Sequence, residues 1–293
     1  MGGIPQASSR GSRTDFVKVG VIGLGLIGGS IAKACLKAGW TVFGYDVNAE
    51  IMKSAATFGI SVDTRWDEWA QNVDQIVLST PLDEADGWIR AILSSGKGCT
   101  IVDVSSVKGT LSDTYSQIHP PFALLSIHPM AGKEVRGFAH SDAHLFEGRP
   151  CLVVEREGIE QDRKLVQGWM SVLGSTPVWV PFSQHDALMG IVSHTPYLVS
   201  AAILVLAESY GSRFPLWPEV AGTGFLDVTR IGASDPRLWE EILRANHDNV
   251  KETFAAFTHL IQEWNEDIQQ GKWPRDLRQT VAIRRKTITD GTA

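Results

Sequence analysis

A glycine-rich turn near the start of the chain constrains the fold more than any other feature. An apolar, β-branched run is followed by Gly23, Gly25 and Gly28, in the spacing G-x-G-x-x-G. The first glycine allows a tight turn, the second lets a pyrophosphate approach the backbone, and the third lets helix and strand pack closely. The N–H groups at the start of the following helix, at Leu26 and Ile27, are then positioned to hold the phosphates. This stretch therefore predicts a strand–turn–helix unit that binds a dinucleotide.

A second strand and an acidic residue complete the pattern. The helix after the glycine turn ends at Gly39, a strand over 41–45 follows, and Asp46 comes 23 positions after Gly23. A carboxylate at this point accepts hydrogen bonds from the adenosine ribose and repels a 2′-phosphate, so the sequence predicts NAD rather than NADP. The alternatives are a glycine turn in another kind of α/β protein, and Asp46 as a solvated turn residue.

Composition limits the class of protein. The length of 293 residues predicts two domains, and a composition of 43% hydrophobic and 20% charged residues predicts that they are globular. The net charge of −6 argues against nucleic-acid or anionic-membrane partners. Cys35, Cys99 and Cys151 form no C-x-x-C pair, which indicates a reducing cytoplasm and no metal site. Residues 1–15 lack the apolar core of a signal peptide and are predicted to be a disordered tail. The longest apolar run, 197–207, is predicted to be too short to span a bilayer.

Two further predicted strands end in polar residues. The first ends at Thr80 and Pro81, which should lie beside the cofactor because ligands bind at the carboxyl ends of parallel strands. The second runs into Ser105, Ser106 and Lys108, where hydroxyls and a cation suit an anionic, hydroxylated ligand near the nicotinamide. The alternatives are a plain turn at the first position and, at the second, a serine that caps a helix beginning near Lys108.

The next strand ends at His128, which is followed by a proline and small residues and can face a crevice. A lone histidine is more often structural than catalytic, so the surrounding motifs must decide its role. Two more strands, over 150–154 and 176–180, flank a predicted helix over 161–173 and extend the sheet. The first domain is expected to close near Phe182.

After residue 182 the pattern becomes helical. The sequence predicts a helix over 183–209. Ser183 and Asp186 mark its start, and Pro196 is expected to kink it. His185 and His194 are nine residues apart, which places them about 180° apart on a straight helix. They would then line different sites, although the kink weakens this argument.

The last part of the chain carries a candidate carboxylate ligand and a long helix. A glycine-rich segment ends at Arg230, whose planar guanidinium suits a carboxylate. A helix from Pro236 to about Gln270 would be ~50 Å long, more than a small domain can cover, so it is expected to pack on a second subunit. The alternative is that its apolar stripe is intrachain core. The stripe consists of Trp239, Ile242, Leu243, Val250, Phe254, Phe257, Ile261 and Trp264.

From Lys18 to about Asp267 the chain resembles the prephenate/arogenate dehydrogenase family of tyrosine biosynthesis. Each motif is modest alone, and their order together is specific. The motifs are Gly-Leu-Gly-Leu-Ile-Gly-Gly-Ser (23–30), Asp-Val-Ser-Ser-Val-Lys-Gly (103–109), His-Pro-Met-Ala-Gly (128–132), His-Asp (185–186), Ser-His-Thr-Pro (193–196) and Gly-Phe-Leu-Asp-Val-Thr-Arg-Ile (224–231), followed by Ser-Asp-Pro and Trp239.

The resemblance implies an α/β fold, with a Rossmann-type doubly wound sheet followed by an all-α C-terminal domain. Residues 16–182 would bind NAD, and residues 183–293 would form a helical substrate and dimerisation domain. The implied reaction is an oxidative decarboxylation of prephenate, arogenate or both, with hydride transfer to NAD. Loss of hydride and proton at C4 lets carbon dioxide depart and the ring become aromatic, so the chemistry needs neither a metal nor a covalent nucleophile. The preference between prephenate and arogenate is left open.

The resemblance also implies roles for individual residues. His128 would take the proton of the substrate ring hydroxyl, Ser106 would position that hydroxyl, Arg230 would bind a substrate carboxylate, and Glu134 would lie at the mouth of the site. An ordinary histidine titrates near pH ~6.5, so kcat/KM is expected to fall below neutrality. Inhibition by tyrosine, if present, is expected at the active site or through the dimer, because no part of the chain resembles a chorismate mutase or an ACT domain.

The substrate pocket departs from part of the family. His194 and Tyr197 would contact the substrate, but some relatives carry a second histidine in place of the tyrosine, which puts side-chain selectivity in doubt. The residues predicted to contact NAD are Gly23, Gly25, Leu26, Ile27, Gly28, Asp46, Thr80, Pro81 and Ser105.

Two other functions compete with this interpretation. β-Hydroxyacid dehydrogenases share the domain order but rely on a lysine in the second domain, and this chain has no lysine between Lys164 and Lys251. A non-catalytic NAD sensor would not need His128, Ser106 and Arg230 together.

Overall fold

The computed structural model describes residues 17–156 and 162–289, so the tail predicted over 1–15 lies outside the described residues. Within them, eight strands form one sheet in the order β3-β2-β1-β4-β5-β6-β7-β8. The strands are β1 (Lys18–Ile22), β2 (Thr41–Tyr45), β3 (Ser61–Val62), β4 (Gln75–Leu78), β5 (Thr100–Asp103), β6 (Ala123–Pro129), β7 (Pro150–Glu155) and β8 (Thr176–Pro181).

Helices cover both faces of this sheet and continue the chain after its last strand. The short elements β3 and α3, and a helix in the glycine-rich segment before Arg230, were not expected from the sequence. The helices are α1 (Leu26–Lys37), α2 (Ala49–Ala56), α3 (Trp66–Ala70), α4 (Leu82–Ser94), α5 (Ser112–Tyr115), α6 (Arg163–Leu173), α7 (Phe182–Met189), α8 (Thr195–Ser209), α9 (Thr223–Thr229), α10 (Pro236–Ala245), α11 (His247–Gln269) and α12 (Thr280–Thr289).

The central strands β1, β4 and β5 are buried on both faces, which explains their continuous apolar sequences. Strands β1 to β6 pair in parallel, so the carboxyl ends of β1, β4, β5 and β6 meet at one edge. One core, which includes α1 and α6, packs on one face, and a second core, which includes α4 and α5, packs on the other. Strand β7 pairs antiparallel with β6, a reversal that the apolar patterning does not reveal.

The helix predicted over 183–209 is continuous but not uniform. Helix α7 passes into a π turn at Gly190–His194, and α8 follows with Pro196 in its first turn. Proline lacks an N–H group and its ring clashes with the carbonyl four residues earlier, and a wider turn relieves both problems. The predicted cap is wrong: α7 begins at Phe182 after Pro181 without a side-chain cap, and Asp186 binds elsewhere.

The segment Phe182–Ser209 is longer and more apolar than the run considered in the sequence. Its 28 helical residues contain an 18-residue window of mean hydropathy 1.6, only 33% of which is buried, so by length and composition it could span a bilayer. The apolar run over 197–207 underestimated the segment because the helix continues through the π turn. Val205 and Leu206 are 70% and 59% exposed, so this apolar face has no covering partner among the described residues of the single chain.

The long helix predicted from Pro236 to Gln270 is two helices, and this prediction was wrong. The break is Asn246, which has φ −111° and ψ 30° and separates α10 from α11. Its side-chain amide donates to the backbone oxygen of Asp186, at 2.7 Å, and lies 3.0 Å from Nδ1 of His194. These tertiary contacts hold Asn246 out of helical geometry. In α11 the stripe residue Ile261 is 40% exposed, so the stripe is not intrachain core at that position.

Candidate active site

The glycine turn has the geometry of a phosphate-binding turn. Gly23 has φ +87°, and a Cβ there would lie 2.4 Å from the backbone oxygen of Ser79. A Cβ on Gly28 would lie 1.9 Å from the oxygen of Gly23, whereas a Cβ on Gly25 would meet nothing within 4 Å. Gly25 also precedes the first turn of α1, which has no side-chain cap. The first and third glycines are therefore closed by packing, and the second is open towards a ligand.

Polar groups beside this turn fit a dinucleotide. The carboxylate oxygens of Asp46 accept hydrogen bonds from the backbone N–H groups of Leu24, at 2.8 Å, and Asn48, at 2.9 Å, and each oxygen keeps a further lone pair. Thr80 follows β4, and its hydroxyl is buried without a hydrogen-bond partner among the described residues. An unsatisfied buried hydroxyl costs about 1–3 kcal/mol, so a polar ligand group is the expected partner. Pro81 precedes α4 directly.

The loop after β5 uses its charged residue internally. Lys108 is fully buried, forms an ion pair with Asp103, and donates to the backbone oxygen of Ile127 at 2.9 Å. Tyr115 donates to the same carboxylate at 2.6 Å, and Ser105 donates to it at 3.0 Å. The expectation that Lys108 faces an anionic ligand is therefore wrong, because its charge is neutralised inside the protein.

Ser106 is half-buried and does not cap a helix. A short 3-10 segment, Gly109–Leu111, begins after Lys108 without a side-chain cap, so the structure does not realise the capping alternative.

His128 is the end of a hydrogen-bonded chain that crosses three elements. Its Nδ1 lies 3.1 Å from Nε2 of His185 in α7, and Nδ1 of His185 lies 2.6 Å from Oδ1 of Asp186. The Asp186 carboxylate also accepts from the backbone N–H groups of Lys108, at 2.9 Å, and Gly109, at 2.7 Å. The carboxyl end of β6, the loop after β5 and α7 therefore meet at this histidine.

The surroundings keep His128 neutral. Burial and the neighbouring His185, Lys108 and His194 lower the pKa of His128 well below its usual range. His128 therefore titrates at lower pH than the ordinary histidine assumed in the sequence analysis. Burial also lowers the pKa of His194 to about 4. For Asp186, burial alone would raise the pKa, but the hydrogen bonds from His185 and the loop after β5 outweigh it and lower the pKa.

Helices α8 and α10 form a wall beside the histidines. Tyr197 is buried and its ring stacks on Trp239, with centroids 3.9 Å apart and an interplanar angle of 7°. His194, one turn earlier, has its ring 6.1 Å from the same indole, and Asn246 holds its Nδ1. The π turn changes the angle about the helix axis between His185 and His194. Both histidines lower the pKa of His128.

Arg230 and Glu134 meet at a more open position. Arg230 donates to the Glu134 carboxylate, and their side chains are 59% and 36% exposed. A second ion pair, between Arg136 and Asp235 at 3.0 Å, joins the same two segments. The loop after β6 is thus tied to the segment after α9.

Four of these residues had no predicted role in the active site: His185, Asp186, Asn246 and Arg136. For His185 and Asp186, the sequence did carry a signal, which was the adjacent histidine and acid of the His-Asp motif. For Asn246 and Arg136 the sequence carried no signal, because their partners are distant in the chain.

Fold and site together define a class: a dinucleotide-binding, Rossmann-type α/β protein with a helical C-terminal domain. The family description "Prephenate dehydrogenase, nucleotide-binding domain" matches residues 31–174, and "Prephenate dehydrogenase, dimerization domain" matches residues 181–282. The chain is 30% identical over 284 residues to the prephenate dehydrogenase of Bacillus subtilis (strain 168), covering 90% of this chain and 76% of the relative. The chain belongs to the prephenate dehydrogenase family.

Solved structures of relatives share this fold. The prephenate dehydrogenase of Aquifex aeolicus, in complex with hydroxyphenyl propionate and NAD+, has a TM-score of 0.81 and 27% identity, and the match covers 94% of this chain and 100% of that chain. Arogenate dehydrogenase of Synechocystis has a TM-score of 0.74 and 25% identity, and the match covers 92% of this chain and 100% of that chain.

Proposed function

We propose that this chain is an NAD-dependent prephenate/arogenate dehydrogenase that oxidatively decarboxylates a cyclohexadienyl substrate. The observation that carries the proposal is His128, which is held neutral at the carboxyl end of β6, the edge that also bears the glycine turn. Family membership and the relatives' substrates, prephenate and arogenate, support the same reaction. Bound NAD+ supplies the acceptor for the hydride that leaves C4 of the substrate.

The chain's own residues bind, orient and deprotonate the substrate. His128 takes the proton of the 4-hydroxyl, and Ser106 orients that hydroxyl. Arg230 binds a substrate carboxylate, for which it must exchange or share its partner Glu134 at the mouth of the site. Tyr197, fixed by its stacking on Trp239, and His194 line the pocket.

The glycine turn is assigned to the pyrophosphate. Gly23, Gly25 and Gly28 shape it, with the N–H groups of Leu26 and Ile27 directed to the phosphates. Asp46 binds the adenosine ribose and favours NAD over NADP, and Thr80, Pro81 and Ser105 lie towards the nicotinamide. The orphaned Thr80 hydroxyl and the open position of Gly25 support this assignment. We assign residues 16–182 to the NAD domain and residues 183–293 to the substrate and dimerisation domain.

The working form is a cytoplasmic homodimer joined through the C-terminal helices. The exposed apolar faces of α8 and α11 would be buried between subunits rather than in lipid, consistent with the family's dimerization domain. All three cysteines are buried and unpaired, which suits a reducing compartment. The net charge of −6 gives no support to a nucleic-acid partner.

The test is an absorbance assay at 340 nm with NAD and either prephenate or arogenate. NADH formation with at least one substrate is expected, and the ratio of the two kcat/KM values assigns the preference. A protein that binds NAD but forms NADH with neither substrate would overturn the proposal.

A further inference from the structure

Helix α7 supplies a histidine and an aspartate that touch His128 and have no assigned role. His185 is fully buried and lies between the His128 ring and the Asp186 carboxylate, at 3.1 Å and 2.6 Å respectively. The two imidazole planes are tilted by 49°, with centroids 5.2 Å apart.

The partners of Asp186 determine the proton positions along this chain. Its Oδ2 accepts from the N–H of Gly109 and its Oδ1 accepts from the N–H of Lys108, so the loop after β5 clamps both oxygens. An ionised carboxylate only accepts hydrogen bonds, so Nδ1 of His185 must donate to it. Nε2 of a neutral His185 is then an acceptor, and Nδ1–H of His128 donates to it. The free lone pair of His128 is left on Nε2.

We infer that His185 and Asp186 are positioning residues, which hold His128 as its Nδ1–H tautomer and leave its Nε2 free to accept a proton. The inference rests on the proposed function of His128 as the base. The substrate 4-hydroxyl loses its proton to Nε2 of His128 while hydride leaves C4 for NAD+. The ring carboxylate departs as carbon dioxide and leaves its bonding electron pair in the ring, which becomes an aromatic phenolate and takes the proton back from His128. The Nδ1–H group of His128 keeps its hydrogen bond to Nε2 of His185 throughout.

The charged groups around His128 and His185 support these proton positions. The groups that face the two histidines are Asp186 on α7, His194 in the π turn and Lys108 after β5. His185, Lys108 and His194 disfavour a charged His128, and Lys108 is itself paired with Asp103. Asp186 is the nearby carboxylate bonded into the chain, so it is the group positioned to hold the proton of His185 on Nδ1.

The first test replaces the carboxylate by an amide. In Asp186→Asn the amide can donate to Nδ1 of His185, which reverses both tautomers and places a proton on Nε2 of His128. We expect kcat to fall by at least about 10²-fold, within the range of a general-base contribution, while KM for NAD changes less than about threefold. A kcat within twofold of the parent enzyme would overturn the inference.

Paired variants at His185 separate positioning from packing. His185→Gln offers an oxygen acceptor near the place of Nε2, whereas His185→Leu fills the space without one. We expect His185→Gln to retain at least tenfold more kcat than His185→Leu. The control is Thr253→Val, which removes a buried hydrogen bond to Thr195 near the same π turn. It should lower Tm and leave kcat within twofold. Equal losses in both His185 variants would show a packing role only.

A spectroscopic readout separates this inference from the proposed reaction. In ¹⁵N-histidine-labelled protein, the His128 ring signals, assigned by their loss in His128→Asn, should show the Nδ1–H tautomer and switch to Nε2–H in Asp186→Asn. An Nε2–H tautomer in the parent protein would overturn the inference even if NADH is formed. The expected tautomers without turnover on either substrate would support the positioning and overturn the proposed reaction instead.

Discussion

The two halves of the site are built in different ways. The half proposed to bind NAD, here called the NAD half, lies mainly in one strand–turn–helix unit, where the backbone at Gly23 and Gly28 packs closely. The half proposed to bind the substrate is assembled from side chains far apart in sequence: His128 and His185 are 57 residues apart, and Glu134 and Arg230 are 96 apart. Changes in the first half should therefore alter stability and cofactor binding, whereas changes in the second should alter turnover of a folded protein.

The largest effect is expected at the base. His128→Asn should lower kcat by about 10²–10⁴-fold, because a positioned general base contributes that much, while NAD affinity and Tm stay near those of the parent enzyme. NADH formation and calorimetric titration with NAD measure the two quantities. His144→Asn, at an exposed histidine paired with Glu147, is the control. Near-normal turnover in His128→Asn would assign the base elsewhere.

A smaller effect on turnover is expected at Arg230, the proposed ligand of a substrate carboxylate. Arg230→Ala should cost at least ~2 kcal/mol, about 30-fold in kcat/KM, because a substrate carboxylate loses a charged bidentate partner. Arg237→Ala is the matched control, since that arginine is 77% exposed and contacts Asp235. Steady-state kinetics at saturating NAD measure both variants. Identical constants for the two variants would mean that another cation holds the carboxylate.

In the NAD half, two glycines should respond differently to the same methyl group. Gly28→Ala should lower the free energy of unfolding by about 1–3 kcal/mol, because its Cβ would lie 1.9 Å from the oxygen of Gly23. Gly25→Ala meets no protein atom within 4 Å and should keep its stability, but raise KM for NAD about tenfold. Urea unfolding and NAD titration measure the pair. Unchanged NAD binding in Gly25→Ala would place the pyrophosphate elsewhere.

The smallest expected effect is a displaced pH profile. Burial and the neighbouring His185, Lys108 and His194 lower the pKa of His128, so the neutral, proton-accepting form persists below the usual titration range. The acid limb of kcat/KM should therefore lie well below pH 6.5, and activity should be flat from there to neutrality. Initial rates in constant-ionic-strength buffers measure this. An acid limb at pH 6.5 or above would contradict the burial argument.

Much of the first half could be predicted because its signals are local. The strand before Gly23, the turn and the helix after it lie where the G-x-G-x-x-G spacing predicts them, and Asp46 follows β2. The errors arose where distant contacts override local preference. Lys108 was predicted to face a ligand, but Asp103 and Ile127 bury it, and Asn246 breaks a helix that apolar periodicity predicts as continuous.

The sequence by itself determined the class of this protein. Glycine spacing sets the local backbone conformation and strand hydrophobicity predicts burial, so both signals lie within short stretches of the chain. Motif order extended this to the family and to the choice of His128 and Arg230 as candidates. Only the tertiary structure decided how these residues are held. The clamp on Asp186, the contact between His185 and His128 and the pairing of Arg230 with Glu134 each join separate elements. Such contacts depend on the direction of side chains after packing, and no local pattern specifies that direction.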